Sequence, residues 1–491
     1  MEPISRRDAL RLALLGAAGV TAGAVGLSRT ASLEGMRFPW AGGPFTADPS
    51  AFREPRTLRS QDGLLRVELR AAEGDVEVAG APARVLTYNG QLPGPTWHLQ
   101  PGDRLQVRLV NELTAPTNLH LHGLHVSPVG NGDNPFVSVQ PGEQFDYEIQ
   151  LPADHPPGTY WYHPHLHGRV ADQLSGGLYG AIVIADDVPV TRERVMVVSD
   201  ISLRQDGTLR PVSLPERMAG REGDLVLVNG QQRPSLTARP GQTERWRVVN
   251  ACTSRYLNLA LPGQGLRLLG MDSGRYSNPT DIEQVLLAPG NRADLLVQTR
   301  AGGSELRSVG YDRGTPMMAM MGRAAGNLSG PVDLATLEVN GAQATAVSGA
   351  GRGVQPPDLR GRRPATNREL SFTMGMGMGM GMGGVAFGFD GRPFDHERTD
   401  QAVRAGAVED WTIHNTTPMD HPFHLHVWPM QIIDDNGLEP AEPTWRDVVN
   451  VPADGQVTVR IDFTEPVGRT VYHCHILDHE DAGMMGVVDV R

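Results

Sequence analysis

Three stretches of the chain share one pattern of apolar and polar positions: Pro101-Gly102 through Asn111, Pro240-Gly241 through Asn250, and Ala405-Gly406 through Asn415. Each places glycine second and asparagine last. Apolar residues alternate between them, Val107 and Leu109, Trp246 and Val248, Trp411 and Ile413. A period of two behind a glycine predicts a turn and then a strand buried on one face. Its recurrence at wide intervals predicts three copies of one domain. The boundaries fall near residues 188 and 340, giving domains over 55–188, 189–340 and 367–491, with 31–54 as an N-terminal extension. The stretch 341–366, rich in glycine, alanine and proline, reads as a linker. The 58 glycines and 38 prolines belong with many short strands, so the expected fold class is all-β, each domain a Greek-key β-sandwich.

The copies differ downstream of the asparagine. Nine and eleven residues later stand His120 and His122 in the first copy, His424 and His426 in the third, and Leu259 and Leu261 in the middle one. A second register agrees: Gly158 and Gly468 each precede a His-x-His by five residues, His163 and His165, then His473 and His475, whereas Gly303 leads to Ser308 and Gly310. None of the 16 histidines lies between His167 and His396, so the middle domain has no imidazole to offer a metal.

Side chains at i and i+2 of a strand share a face, so each His-x-His aims two imidazoles at one place. Four such pairs supply eight imidazoles, enough for three metal ions, and they come from domains distant in sequence, so the cluster is expected at the seam between them. A second constellation surrounds Cys474, with His479 and Met484 downstream and His421 upstream. Two imidazoles, a thiolate and a weak axial thioether are the ligand set of a blue-copper electron-transfer site. The tripeptide His473-Cys474-His475 joins the two sites by a few covalent bonds. The remaining histidines, His98, His125, His155, His167, His396 and His414, are read as hydrogen-bonded core or surface residues.

HLHG at 120–123, WYHPH at 161–165, HPFHLH at 421–426 and HCHILDHEDAGMM at 473–485 resemble the copper-binding motifs of multicopper oxidases, closest to three-domain bacterial laccase-like enzymes and cuprous oxidases. That resemblance implies cupredoxin-like domains and four coppers per chain, with dioxygen as the electron acceptor. It implies type 1 copper on His421, Cys474, His479 and Met484, and type 2 copper on His120 and His424. One type 3 copper would take His122, His163 and His475, the other His165, His426 and His473. It further implies Asp133 and Glu480 as a proton relay, although a surface or supporting carboxylate reads equally well at either place.

The resemblance leaves two donor classes, phenols and aromatic amines or cuprous ion. An organic donor needs an accessible edge of His421. Thioethers suit cuprous ion, and Met374, Met376, Met378, Met380 and Met382 alternate with glycine, with Met419 two residues before His421. The run reads either as a ladder for soft cations or as a low-complexity loop without ligand. Thr417 stands where some relatives carry an acid, which weakens the metal-specific case. The expectation is therefore a laccase activity, with cuprous oxidation beside it or, alternatively, a cuprous oxidase in copper tolerance. A non-enzymatic copper buffer or scaffold is the alternative of another class, and neither needs Cys474 between two cluster histidines.

The net charge of −12, with all 44 basic residues arginine, argues against a nucleic-acid partner. Two cysteines exclude a disulfide framework, and Cys252 is expected as a small buried apolar residue. Ser5-Arg6-Arg7-Asp8-Ala9-Leu10 followed by the uncharged stretch 12–27 resembles a twin-arginine export signal over 1–30, so a periplasmic or otherwise exported monomer without stable membrane insertion is expected.

Overall fold

The computed structural model describes residues 50–314, 330–345, 347, 353–376 and 385–491, with the backbone alone at 376, 385 and 386. The strands of these residues form six sheets that pair into three cupredoxin-like sandwiches, so the molecule is all-β as expected. The repeated stretch is the same strand in each. Arg104–Asn111, Thr243–Asn250 and Val408–Asn415 run parallel to the preceding long strands Leu64–Val78, Arg192–Ile201 and Thr366–Met376. On their other edges they pair antiparallel with Gln144–Gln150, Arg292–Gln298 and Gln456–Asp462. Gly102, Gly241 and Gly406 have φ of +86°, +79° and +78°, a left-handed turn that a side chain resists, which is why glycine opens each copy.

The closing asparagine does the same work three times. Its carboxamide accepts from the backbone N–H two residues on, at Leu113, Cys252 and Thr417. It donates to carbonyls of the loop beyond, Ala115 and Val139, Arg255 and Leu287, Met419 and Val451. All three asparagines are buried, so each folds the loop leading to the next strand of the second sheet. That next strand carries the histidines, and its distance from the asparagine is therefore the same in every copy.

The register of the second sheet is also common. His120 faces His163, His424 faces His473, and in the middle sandwich Leu259 faces Ser308. Leu259 belongs to the apolar core formed with Trp246, Val248 and Leu295, so there the position holds packing rather than chemistry. A separate apolar cluster, including Trp161, Leu174, Val183, Val197 and Val249, lies between the first and middle sandwiches and takes in Leu477 of the third. Residues ahead of the first sandwich strap onto the middle one: Phe52 N–H donates to Ser235 O at 2.9 Å and its ring packs on that core. Among the described residues no helix is long and apolar enough to cross a membrane, and the segment 1–30 lies outside them.

Candidate metal centres

Only the His120 and His122 pair lies wholly within a strand. In the other three pairs one member stands just past a strand end: His165 after Gly158–His163, His426 after His421–Leu425, His475 after Gly468–Cys474. The rings still converge, their centroids 4.9–6.2 Å apart within each pair. Across the seam the pairs stack in opposite order, His120 on His426 at 3.8 Å and His122 on His424 at 3.9 Å. Imidazoles of the first and third sandwiches therefore share one buried space.

Most of these rings are tied down on the nitrogen facing away from that space. His120 Nδ1 lies 3.0 Å from Asp133, His163 Nδ1 2.8 Å from Pro164 O, His424 Nδ1 2.7 Å from Asp447 O, His473 Nδ1 3.0 Å from Cys474 O, and His122 Nε2 3.1 Å from Asp447. A ring nitrogen that donates outward leaves the lone pair of the other free to bind an ion. The inward nitrogens meet: His165 Nε2 is 3.0 Å from His473 Nε2 and 3.1 Å from His426 Nε2, and His120 Nε2 is 3.5 Å from His424 Nε2. His165 Nδ1, His426 Nδ1 and both nitrogens of His475 are buried without a hydrogen-bond partner.

Of the expected ligand sets, His165, His426 and His473 form one group of mutually close donor atoms. His122 and His163 group with His120 instead of with His475, whose ring lies 5.0 Å from that of His122 and 5.9 Å from that of His163. Burial pushes every one of these histidines below its usual pKa, joined by neighbouring imidazoles for all but His473, and holds His165 and His473 at about 4. They are neutral at pH 7, as metal ligands must be.

The second group is His421, Cys474 and His479. Cys474 Sγ lies 3.4 Å from His421 Nδ1 and accepts from the Ile476 N–H at 3.4 Å, while the Cys474 N–H donates to Met484 O at 3.0 Å. Met484 is buried beside them. Burial raises the Cys474 thiol well above its usual pKa, so an ion must be present to hold it as thiolate. The outward nitrogens are capped: His421 Nε2 meets Thr417 Oγ1 at 2.8 Å, and His479 Nε2 meets Met218 O of the middle sandwich at 3.0 Å. Both rings are fully buried, so the exposed edge of His421 expected for an organic donor is not found. Sequence spacing places a ligand but says nothing of the loop that folds over its far side.

Asp133 and Glu480 are both buried at the cluster. Besides His120, Asp133 accepts from the Leu121 N–H at 3.0 Å. Glu480 lies 3.4 Å from His165 Nε2 and 3.1 Å from His473 Nδ1. Burial raises both carboxyls to about 7. Met419 is fully buried and Met374 packs partly buried on the third core. Met378, Met380, Met382 and the side chain of Met376 lie outside the described residues.

Other residues at the site were not legible. Asp447 touches both His122 and His424, and it is held by Arg292 of the middle sandwich. Asp481 accepts from the N–H groups of Val170 and Ala171 at 3.1 and 2.9 Å, and Asp478 pairs with Arg221, so the segment around His479 is fastened to both other sandwiches. Asp447, Arg292 and Arg221 have no motif of their own, and Asp478 and Asp481 lie within the motif at 473–485 without a spacing that marks them. Gly123, directly after the first pair, is the one hint that something approaches closely there.

Multicopper oxidase family models match residues 70–188, 202–304 and 363–491. The chain is 26% identical over 448 residues to a multicopper oxidase of Staphylococcus aureus, covering 88% of this chain and 90% of that one. It is 24% identical to a laccase of Bacillus subtilis, over 83% of this chain and 90% of the relative. A solved multicopper oxidase of Campylobacter jejuni, described as a metallo-oxidase, matches with a TM-score of 0.80 at 29% identity, covering 91% of this chain and 96% of that one.

Proposed function

The chain belongs to the multicopper oxidases, and on that premise we propose that it is an exported laccase-like enzyme that passes single electrons from phenols, aromatic amines or cuprous ion to dioxygen. His421, Cys474, His479 and Met484 would hold the entry copper, and the eight paired imidazoles three more. Bound there, four coppers supply a one-electron relay and the store of four electrons that, with four protons, takes dioxygen to two waters. Burial keeps the imidazoles neutral, and outward hydrogen bonds orient five of the eight in the cluster. Cys474 joins the entry site to the cluster through the bonds to His473 and His475. Glu480, raised to about 7, can hold a proton at neutral pH and release it toward His165 and His473. Asp133 stands in the same relation to His120.

One observation carries this reading: His165, His426 and His473 meet within 3.3 Å across the seam, and His473 lies on the strand that sets the sulfur of Cys474 against His421. Copper-loaded protein is expected to hold four coppers, show a blue thiolate band and consume oxygen with a phenolic donor. Copper binding without oxygen consumption would leave a buffer instead.

A metal donor is favoured by a specific feature, the capping of both entry imidazoles by Thr417 and Met218. Electron transfer from an organic donor must then pass through these caps, while Met374 and Met419 on the third core offer soft sulfur to cuprous ion. The relative described as a metallo-oxidase points the same way. In the same oxygen assay, deleting residues 374–382 is expected to depress cuprous turnover far more than phenol turnover. Equal losses would remove the preference for metal. Export rests on the Arg6-Arg7 segment.

A further inference from the structure

We infer that Arg292, on the sandwich that holds no ligand, is a positioning residue for the three-copper site, acting through Asp447 on one imidazole from each outer sandwich. The inference rests on the ligand reading above. Arg292 is buried and its guanidinium forms a fork on Asp447, Nη1 to Oδ1 at 2.5 Å and Nη2 to Oδ2 at 2.6 Å. Its Nε donates to Thr159 O at 2.9 Å, and its backbone N–H to Asp272 at 2.9 Å, so the fork is fixed from behind. Asp447 then reaches both halves of the cluster. Its carboxylate lies 3.1 Å from His122 Nε2, and its carbonyl 2.7 Å from His424 Nδ1.

The packing around this fork leaves no slack. A Cβ on Gly123, the glycine directly after His122, would come within 2.4 Å of Arg292 Nη2 and 2.6 Å of Asp447 Oδ2. A Cβ on Gly290, two residues before Arg292, would lie 2.8 Å from the His475 ring. One short segment of the middle sandwich therefore presses on the cluster at two points. Asn291, between them, donates to Asp272 at 2.8 Å and to Val448 O, next to Asp447, at 3.0 Å.

A planar guanidinium with fixed donors can hold both carboxylate oxygens at once, whereas an ammonium offers a single point. Without the fork, Asp447 is a buried carboxylate free to turn toward His122 or away from it. The tautomer of His122 and the tilt of His424 change with it, which is how outer partners govern metal affinity.

The test compares full-length, copper-loaded R292Q and R292K with R245Q. Arg245 is also buried on the middle sandwich and pairs with Asp186 and Asp294, but it contacts no cluster histidine. For R292Q we expect type 2 copper to be lost to a chelator about 10- to 100-fold more readily. Its type 2 spin-resonance signal should be altered while the blue thiolate band is unchanged. R292K should restore part of the retention. R245Q should lower the melting temperature and leave both spectra native. A native type 2 signal and native retention in R292Q, with only a lower melting temperature, would overturn the inference and make Arg292 an ordinary interdomain clamp. If R292Q does not fold, R292K decides by the same readout. Unsubstituted protein with no type 2 copper would overturn the ligand reading and this inference together.

Discussion

Where the first and third sandwiches set His120 against His163 and His424 against His473, the middle one sets Leu259 against Ser308. The backbone is the same in all three, with the same parallel and antiparallel partners and the same buried asparagine folding the loop. What differs is whether the side chains at one register position satisfy one another. In the middle sandwich they do, because Leu259 packs among apolar neighbours. In the outer two, buried nitrogens of His165, His426 and His475 have no hydrogen-bond partner within the protein. The outer seam spends stability on a buried imidazole geometry that suits an ion, and the middle sandwich supplies packing and the buried arginines that hold the seam closed.

Opposite responses to truncation would sharpen this contrast. Leu259→Ala should cost about 2–5 kcal/mol in denaturant unfolding, since it opens a cavity in a dry core. His475→Leu in copper-free protein should instead add about 1–3 kcal/mol, because it removes two buried unpaired nitrogens, while abolishing full copper loading. If His475→Leu destabilises the copper-free protein as much as Leu259→Ala, the division between packing and chemistry is wrong.

A second contrast is in acid, because the outer sandwiches bury neutral histidines and the middle one has none. His155 is the cleanest case. Its Nε2 accepts from the His125 N–H at 3.1 Å, and its Nδ1–H donates to Pro156 O at 3.0 Å. Burial holds it at about 4, partly offset by the hydrogen bond to Pro156, with smaller effects of His125 downward and Asp154 upward. Its folded pKa lies below the ordinary value of about 6.5, so the unfolded chain takes the proton first. Stability is therefore full above pH 6.5 and falls as the pH drops toward 4, by up to about 3 kcal/mol for this one group. His155→Gln keeps an acceptor and a donor and should flatten that part of the pH–stability curve by about one proton. An unchanged slope would show that His155 does not titrate there.

The smallest expected effect tests the shared asparagine. Alanine at Asn111, Asn250 or Asn415 should cost about 1–3 kcal/mol each, since each leaves buried carbonyls and an N–H unpaired. Only Asn415→Ala should also shift the blue band, because its loop carries Thr417, which caps His421. A matching spectral change in Asn250→Ala would mean that the middle loop is coupled to the entry site as well.

Much of this architecture was legible in the residues. The period-two stretches marked the same strand three times, and the glycine and asparagine at its ends located the histidines because turn and loop are built from local hydrogen bonds. Leu259 and Leu261 announced the middle sandwich's lack of ligands for the same reason. Less was legible about the surroundings. An organic donor was expected to need an open edge on His421, and the structure closes that edge with Thr417, just upstream on the chain, and closes His479 with Met218, more than two hundred residues away.

Sequence alone determined the elements, their threefold repetition, and which side chains are candidates for metal chemistry, because strand periodicity, turns and donor type depend on neighbours along the chain. Tertiary structure decided which imidazoles of different sandwiches stack, that the entry imidazoles are covered, and that Arg292 grips Asp447 between them. Apart from Thr417 on His421, those are contacts between residues 155 to more than 300 positions apart. They are settled by how three packed surfaces fit, and no local pattern records them.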